Sequence, residues 1–122
     1  MTVRLYRPVG AEELAAIERL AWRRFPPRLV EQPIFYPVLN FDYAEQIARD
    51  WNSRHEPRGV GYVLEFDVGD AIAERYPAQT AGAANVHREL WVPAEELEFF
   101  NDGIQGEIRL IASYSQGKRV ES

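Results

Sequence analysis

The sequence predicts an α+β domain built on a split, mostly antiparallel sheet flanked by helices. Three observations carry this expectation. Segments with strand and helix patterning follow one another as β, α, β, α, β, short α, β, α, β, joined by connections too varied for a regular parallel βαβ series. Residues 60–68 and 104–114 alternate in the manner of strands with one buried face. The 122 residues, 46% hydrophobic and 12% aromatic, suffice to close one core, so residues 1–114 read as a single domain and 115–122 as a flexible C-terminal tail.

Residues 3–6 alternate and give a first strand that ends at Arg7-Pro8, because proline lacks a ladder donor. Between Ala11 and Phe25 the apolar residues Leu14, Ile17, Ala21 and Phe25 keep helical spacing. Glu12 and Glu13 occupy the favourable first turn, and Pro26-Pro27 stop the helix. Residues 34–39 are apolar and aromatic, but Pro37 restricts them to a short, edge or bulged strand. Asp42 and Glu45 have capping-box spacing, and Ala44, Ile47, Ala48 and Trp51 recur at helical intervals, so the clearest helix of the chain begins there. A polar loop follows over 52–59.

In residues 60–68, Tyr62, Leu64, Phe66 and Val68 face one way and Val63, Glu65 and Asp67 the other. Residues 70–76 suit a short helix. Residues 78–85 are so rich in small side chains that a mobile surface loop, able to serve as a lid, is expected. Residues 87–92 form the next strand, and Pro93 with Glu95 and Glu96 opens a helix ending near Asn101-Asp102-Gly103. The last strand places Ile108, Leu110, Ala112 and Tyr114 on one face.

Composition excludes several function classes. Nineteen acidic against fourteen basic residues leave a net charge of −5, which removes the counterion-release drive for non-specific nucleic-acid binding, so nucleic acid is not an expected partner. No apolar run reaches bilayer-spanning length, and MTVRLYRPVG lacks the cationic and apolar regions of a secretory signal, so the expectation is a cytoplasmic protein away from membranes. The absence of cysteine removes disulfides, thiolate nucleophiles and thiolate metal sites together. The two histidines, His55 and His87, lack the spaced partners zinc requires, so no metal site is expected. No dinucleotide-fold, P-loop or nucleophile-elbow motif is present.

Five residues, Glu89, Arg7, Tyr36, Asn40 and Arg28, carry candidate chemistry. Period two puts His87, Glu89 and Trp91 on one strand face, opposite Leu90 and Val92. Glu89 is then either an acid held between an imidazole and an indole or an ordinary acid on a solvated edge. Arg7 closes the first strand, where a guanidinium can clamp a phosphate or carboxylate or form a surface ion pair. Tyr36 and Asn40 bracket a strand-to-helix turn as hydrogen-bonding groups for a ligand, or as a core phenol and a helix cap. Arg28, with Arg19, Arg23 and Arg24, offers a site for one small anion or a set of solvated cations near a helix C-terminus.

The segments LYRPVG, FPPRL, QPIFYPVLN, YAEQIARDWN, GYV and ELWVPAEELEFFN together resemble a short bacterial family labelled "ADP-ribosylation/crystallin J1", over nearly all of residues 5–114. The label points to ADP-ribosyl hydrolases, larger helical metal enzymes whose paired aspartates are missing here. The element order is more similar to the ADP-ribosyltransferase-like fold, in which a first-strand Arg or His, a middle aromatic or hydroxyl motif and a late-strand Glu surround nicotinamide adenine dinucleotide (NAD). That resemblance implies NAD as co-substrate, with Arg7 on phosphate, Tyr36 stacked on nicotinamide and Glu89 orienting the ribose as the glycosidic bond breaks. Asn40, His87 and Arg28 would complete the binding wall.

The chain departs from the better-known pattern. It has no Ser-Thr-Ser triplet, and His87 stands where a second glutamate precedes the late Glu. Protein arginine modification is therefore disfavoured, leaving transfer to a nucleobase or small molecule, hydrolysis of the dinucleotide, or a pocket kept without the reaction. The competing class is a non-enzymatic, immunity-type module whose acidic surface, with Trp91 and Phe99, engages a protein partner.

Overall fold

The computed structural model describes residues 1–55, 58–80 and 88–120. A four-stranded antiparallel sheet forms its frame in the order β1 (Thr2–Val9), β3 (Val60–Gly69), β7 (Ile104–Ser115) and β8 (Lys118–Val120). Two short ladders complete the strands: β2 (Ile34–Phe35) with β6 (Val92–Pro93), and β4 (Gln79–Thr80) with β5 (Arg88–Glu89). Helices α1 (Ala11–Arg19), α2 (Phe41–Ile47), α3 (Ser53–His55), α4 (Asp70–Ala73) and α5 (Leu97–Asp102) lie between them, so the architecture is α+β with an antiparallel sheet. Among the described residues no helix is long and apolar enough to cross a membrane.

The first strand runs through Pro8 rather than stopping before it. Tyr6 exchanges both backbone hydrogen bonds with Val38, at 2.9 and 2.8 Å, so Tyr6 and its period-two neighbour Pro8 turn their main chain away from β3. The missing proline donor therefore falls on the side where β3 needs none.

Helix α1 is shorter than the expected 11–25 span. Trp22 N–H bonds to Ile17 O and Ala21 N–H to Glu18 O, the paired bonds of a Schellman stop. Ala21 and Trp22 adopt left-handed backbone with φ of 59° and 61°. Each costs roughly 1–2 kcal/mol relative to a right-handed turn. The reversal sends Phe25 into the core, where its ring lies 4.9 Å from both Phe35 and Phe66. Asn101 of α5 holds it there, accepting from Phe25 N–H and donating to Phe25 O, each at 3.0 Å.

Two apolar clusters sit on β3. Leu5, Phe25, Phe35, Leu64, Phe66 and Phe100 belong to the larger, and Val38, Ala44, Ala48, Val63, Ala112 and Tyr114 form the smaller. Alternation alone assigns Val63 to the face opposite Leu64, and both prove fully buried because each face is covered. The register shows how β7 serves both: Val63 pairs with Ala112 but the next residue, Leu64, pairs with Leu110. Ile111 is thus an extra residue that turns β7 over. The expected single face of Ile108, Leu110, Ala112 and Tyr114 is broken accordingly, with Ile108 and Tyr114 in different clusters and Leu110 42% exposed.

Helix α2 starts two residues earlier than the Asp42–Glu45 spacing suggests. Asn40 is its N-cap, accepting from Tyr43 N–H at 2.7 Å. The helix then widens into a π-helical turn, Ala48–Asn52, before ending in α3, so part of the expected polar loop is helical. Gly61 permits this turn to lie against β3: a Cβ there would meet Ala48 O at 2.2 Å.

Later elements differ in extent. Residues 87–92, read as one strand, divide into β5 and β6 in separate ladders. The expected lid over 78–85 falls largely outside the described residues, apart from β4 at its start. Residues 118–120, expected in a flexible tail, pair with Ser113–Ser115 across a Gln116-Gly117 turn whose φ values are 52° and 84°. Positive φ at both positions is the geometry that a two-residue hairpin requires.

Candidate functional site

Glu89 is fixed through its backbone first. Val38 bridges Tyr6 of β1 on one side and Glu89 on the other, and Glu89 also pairs with Gln79. These pairings carry a late segment to the outer margin of the first strand. Glu89 is buried, 8% exposed as a residue, and both carboxylate oxygens accept hydrogen bonds. Tyr43 OH donates to Oε1 at 2.8 Å and the Trp91 indole Nε1–H donates to Oε2 at 3.1 Å. The period-two relation of Glu89 and Trp91 is therefore realised as a direct contact. Tyr43 titrates at about 12, raised first by burial and then by its bond to Glu89, so it remains a donor at neutral pH.

A cavity of about 230 Å³ opens beside this carboxylate, lined by Glu89, Tyr43, Tyr36, Val38, Arg7 and Asn52 among others. A larger one, about 390 Å³, adjoins it and shares Arg7, Pro8 and Asn52 as a common wall. The larger chamber continues past Gly10, Pro26, Arg28 and Gln32. The combined space falls within the usual range for small-molecule sites. Asn52 reaches the shared wall because the π-helical turn, set close by Gly61, aims it there. Such turns recur at functional sites.

Arg7 lines both chambers, yet its guanidinium is already engaged. Nε and Nη2 donate to the two oxygens of Glu13 at 2.6 and 2.9 Å, a bidentate pair that ties β1 to the first turn of α1. The same guanidinium lies 4.5 Å from the Phe35 ring centre. Arg28 is placed differently. Its Nη2 donates to Ile34 O at 3.0 Å, while its buried Nε has no hydrogen-bond partner among the described residues. The Arg28 pKa lies below the usual arginine value, first from burial and then from the nearby positive charge of Arg7. The larger chamber is thus lined by two guanidiniums and by the carboxylates of Glu12 and Glu13, with Glu13 hydrogen-bonded to Arg7 rather than to Arg28.

The site unites Arg7, Tyr36 and Glu89 in one cavity and places Arg28 in the adjoining one. Tyr36 is 40% exposed and meets Trp91 edge-on with ring centres 6.3 Å apart. Asn40 serves as the helix cap and does not line either chamber. His87 lies outside the described residues. Arg24 bonds Glu98 and Asp102 at 2.9 and 3.0 Å, which separates it from Arg28. Three site residues escaped the sequence reading: Tyr43, Asn52 and Glu13. For Glu13 a signal existed, since an acid in a helix first turn after a short loop can fold back on an arginine closing the preceding strand. For Tyr43 and Asn52 the helical periodicity gave no mark.

Among the described residues no group of three or more acidic, histidine or cysteine side chains is arranged to hold a metal ion. No family model, curated protein or solved structure matches the chain.

Proposed function

We propose that this pair of chambers binds nicotinamide adenine dinucleotide or a related ADP-ribosyl compound, in an ADP-ribosyltransferase-like domain that cleaves the nicotinamide glycosidic bond. The observation that carries the reading is that Arg7, Tyr36 and Glu89, from three distant segments, line one cavity. Breaking a bond from a sugar C1′ to a cationic leaving group builds positive charge on the sugar, and a fixed carboxylate beside that carbon stabilises it. Tyr43 and Trp91 hold both oxygens of Glu89 before the reaction begins, so little reorganisation is left to the transition state. Tyr36 presents the ring that packs against nicotinamide.

The phosphate role moves from Arg7 to Arg28. The Glu13 carboxylate occupies the fork of Arg7, which makes Arg7 a strut between β1 and α1, whereas Arg28 keeps a buried donor unused. Calorimetric titration of NAD into the protein tests binding: saturable heat in the wild type, weakened in Arg28→Ala, is expected. No saturable heat would favour a protein-binding module that keeps the pocket without the reaction. Chromatographic measurement of nicotinamide release tests chemistry. Release that persists undiminished in Glu89→Gln would refute the assignment of the catalytic carboxylate.

A further inference from the structure

Trp91 has two sides, and only one belongs to the cleft described above. Its indole N–H is spent on Glu89, while the residue is 48% exposed and borders a third cavity of about 270 Å³. Tyr76 supplies a second aromatic ring to that cavity, and Pro77 and Pro93 add apolar pyrrolidine faces. At its margin lie Gln79, the cross-strand neighbour of Glu89, and the ion pair of Arg75 with Glu96 at 3.3 Å. Tyr76 OH also donates to Glu96, at 2.7 Å, and both of these bonds land on Oε1. Oε2 thus retains acceptor capacity beside a guanidinium that donates and a carboxamide that does both.

We propose that this cavity is a second ligand site for a neutral planar nucleobase, presented as a nucleoside or a small nucleobase derivative. A base offers a π-face for Trp91 and an edge carrying donor and acceptor groups together, the chemistry that Gln79, Arg75 and Glu96 match. A net charge of −5 places the occupant among small molecules rather than polynucleotide. The Tyr36–Trp91 contact and the Trp91–Glu89 hydrogen bond make one indole the partition between this ligand and the Glu89 cavity. The site stands without the dinucleotide reading, because Arg7, Arg28 and Glu89 do not line its cavity.

The test titrates adenosine, guanosine, cytidine and uridine separately into isotope-labelled protein while the three tryptophan indole signals are followed. The Trp91 signal, identified by its loss in Trp91→Phe, is expected to shift saturably with at least one nucleoside. Loss of one base–aromatic stack in Trp91→Ala should weaken binding roughly tenfold. Gln79→Ala should weaken it too, and Trp91→Phe, which keeps a ring, should retain most affinity as read from backbone amide shifts. Arg28→Ala should leave nucleoside affinity unchanged even where it weakens the dinucleotide, which separates failure of this site from failure of the cleft. If Trp91→Ala does not fold, the Gln79→Ala and Trp91→Phe arms decide. Absence of saturation by all four nucleosides, or affinity indifferent to Gln79 and to the ring at position 91, overturns the proposal.

Discussion

Removing the Tyr43 hydroxyl isolates the contact on which the geometry of Glu89 rests. In Tyr43→Phe, Oε1 of Glu89, a residue only 8% exposed, loses the donor that sits 2.8 Å away. A hydrogen bond to a charged group contributes about 1.5–3 kcal/mol. An unfolding entropy of about 2.1 cal/mol/K per residue gives about 0.25 kcal/mol/K for 122 residues, so the melting temperature should fall by roughly 6–12 °C. Urea denaturation of the wild type, Tyr43→Phe, Glu89→Ala and the double variant would separate this bond from packing changes. Glu89→Ala should cost less when Tyr43→Phe is already present, with a coupling of at least about 1.5 kcal/mol. A coupling below about 0.5 kcal/mol would refute the inference that Tyr43 holds the carboxylate.

Alkali should expose the same contact. The Tyr43 and Tyr76 pKa values rise from 10.0 to about 12, each first through burial and then through a carboxylate bond. A phenol whose folded pKa is raised stabilises the fold while protonated, fully below pH 10, and loses that contribution as pH climbs through 12; denaturation at pH 9 and 11.5 should show lower stability at the higher value. Gly61→Ala should destabilise by about 3 kcal/mol in chemical denaturation, because the added methyl meets Ala48 O at 2.2 Å and must push the π-helical turn from β3. Glu13→Gln should tighten pyrophosphate binding at least about fivefold, since one nearby negative charge is worth about 1 kcal/mol even in a water-like medium; unchanged calorimetric affinity would mean that the larger chamber does not receive the anion.

Much of the frame is legible in the amino-acid order because it rests on local periodicity. Leu64, Phe66 and Val68 announce β3 by alternation, and Ala44 and Ala48 mark the buried stripe of the second helix. What escapes is set by contacts across the chain. Nothing near Ala21 signals a left-handed stop, since alanine replaces the expected glycine and the reversal is maintained by Trp22 O accepting from Ile108 N–H at 2.7 Å. Asn40 outcompetes Asp42 as cap because the chain enters the helix in extended conformation at position 40. The face change at Ile111 depends on register with β3, which no single-strand pattern encodes. At the site, Arg7, Tyr36 and Glu89 were identifiable one by one from residue type and position, but the engagement of Arg7 by Glu13 decides its role and is visible only in three dimensions.

A π-helical turn carries about one residue more than the α-helical turn it replaces. Excising a single residue from Ala48–Asn52 would therefore leave an ordinary helix whose later residues face nearly as before. Ser53 Oγ would keep its place by Arg49 O and Gly117 N–H, and the loss would fall on the turn that carries Asn52 to the divide between the chambers. One surplus amino acid, wedged where the sheet offers only a hydrogen atom at Gly61, thus shapes a wall that both compartments share.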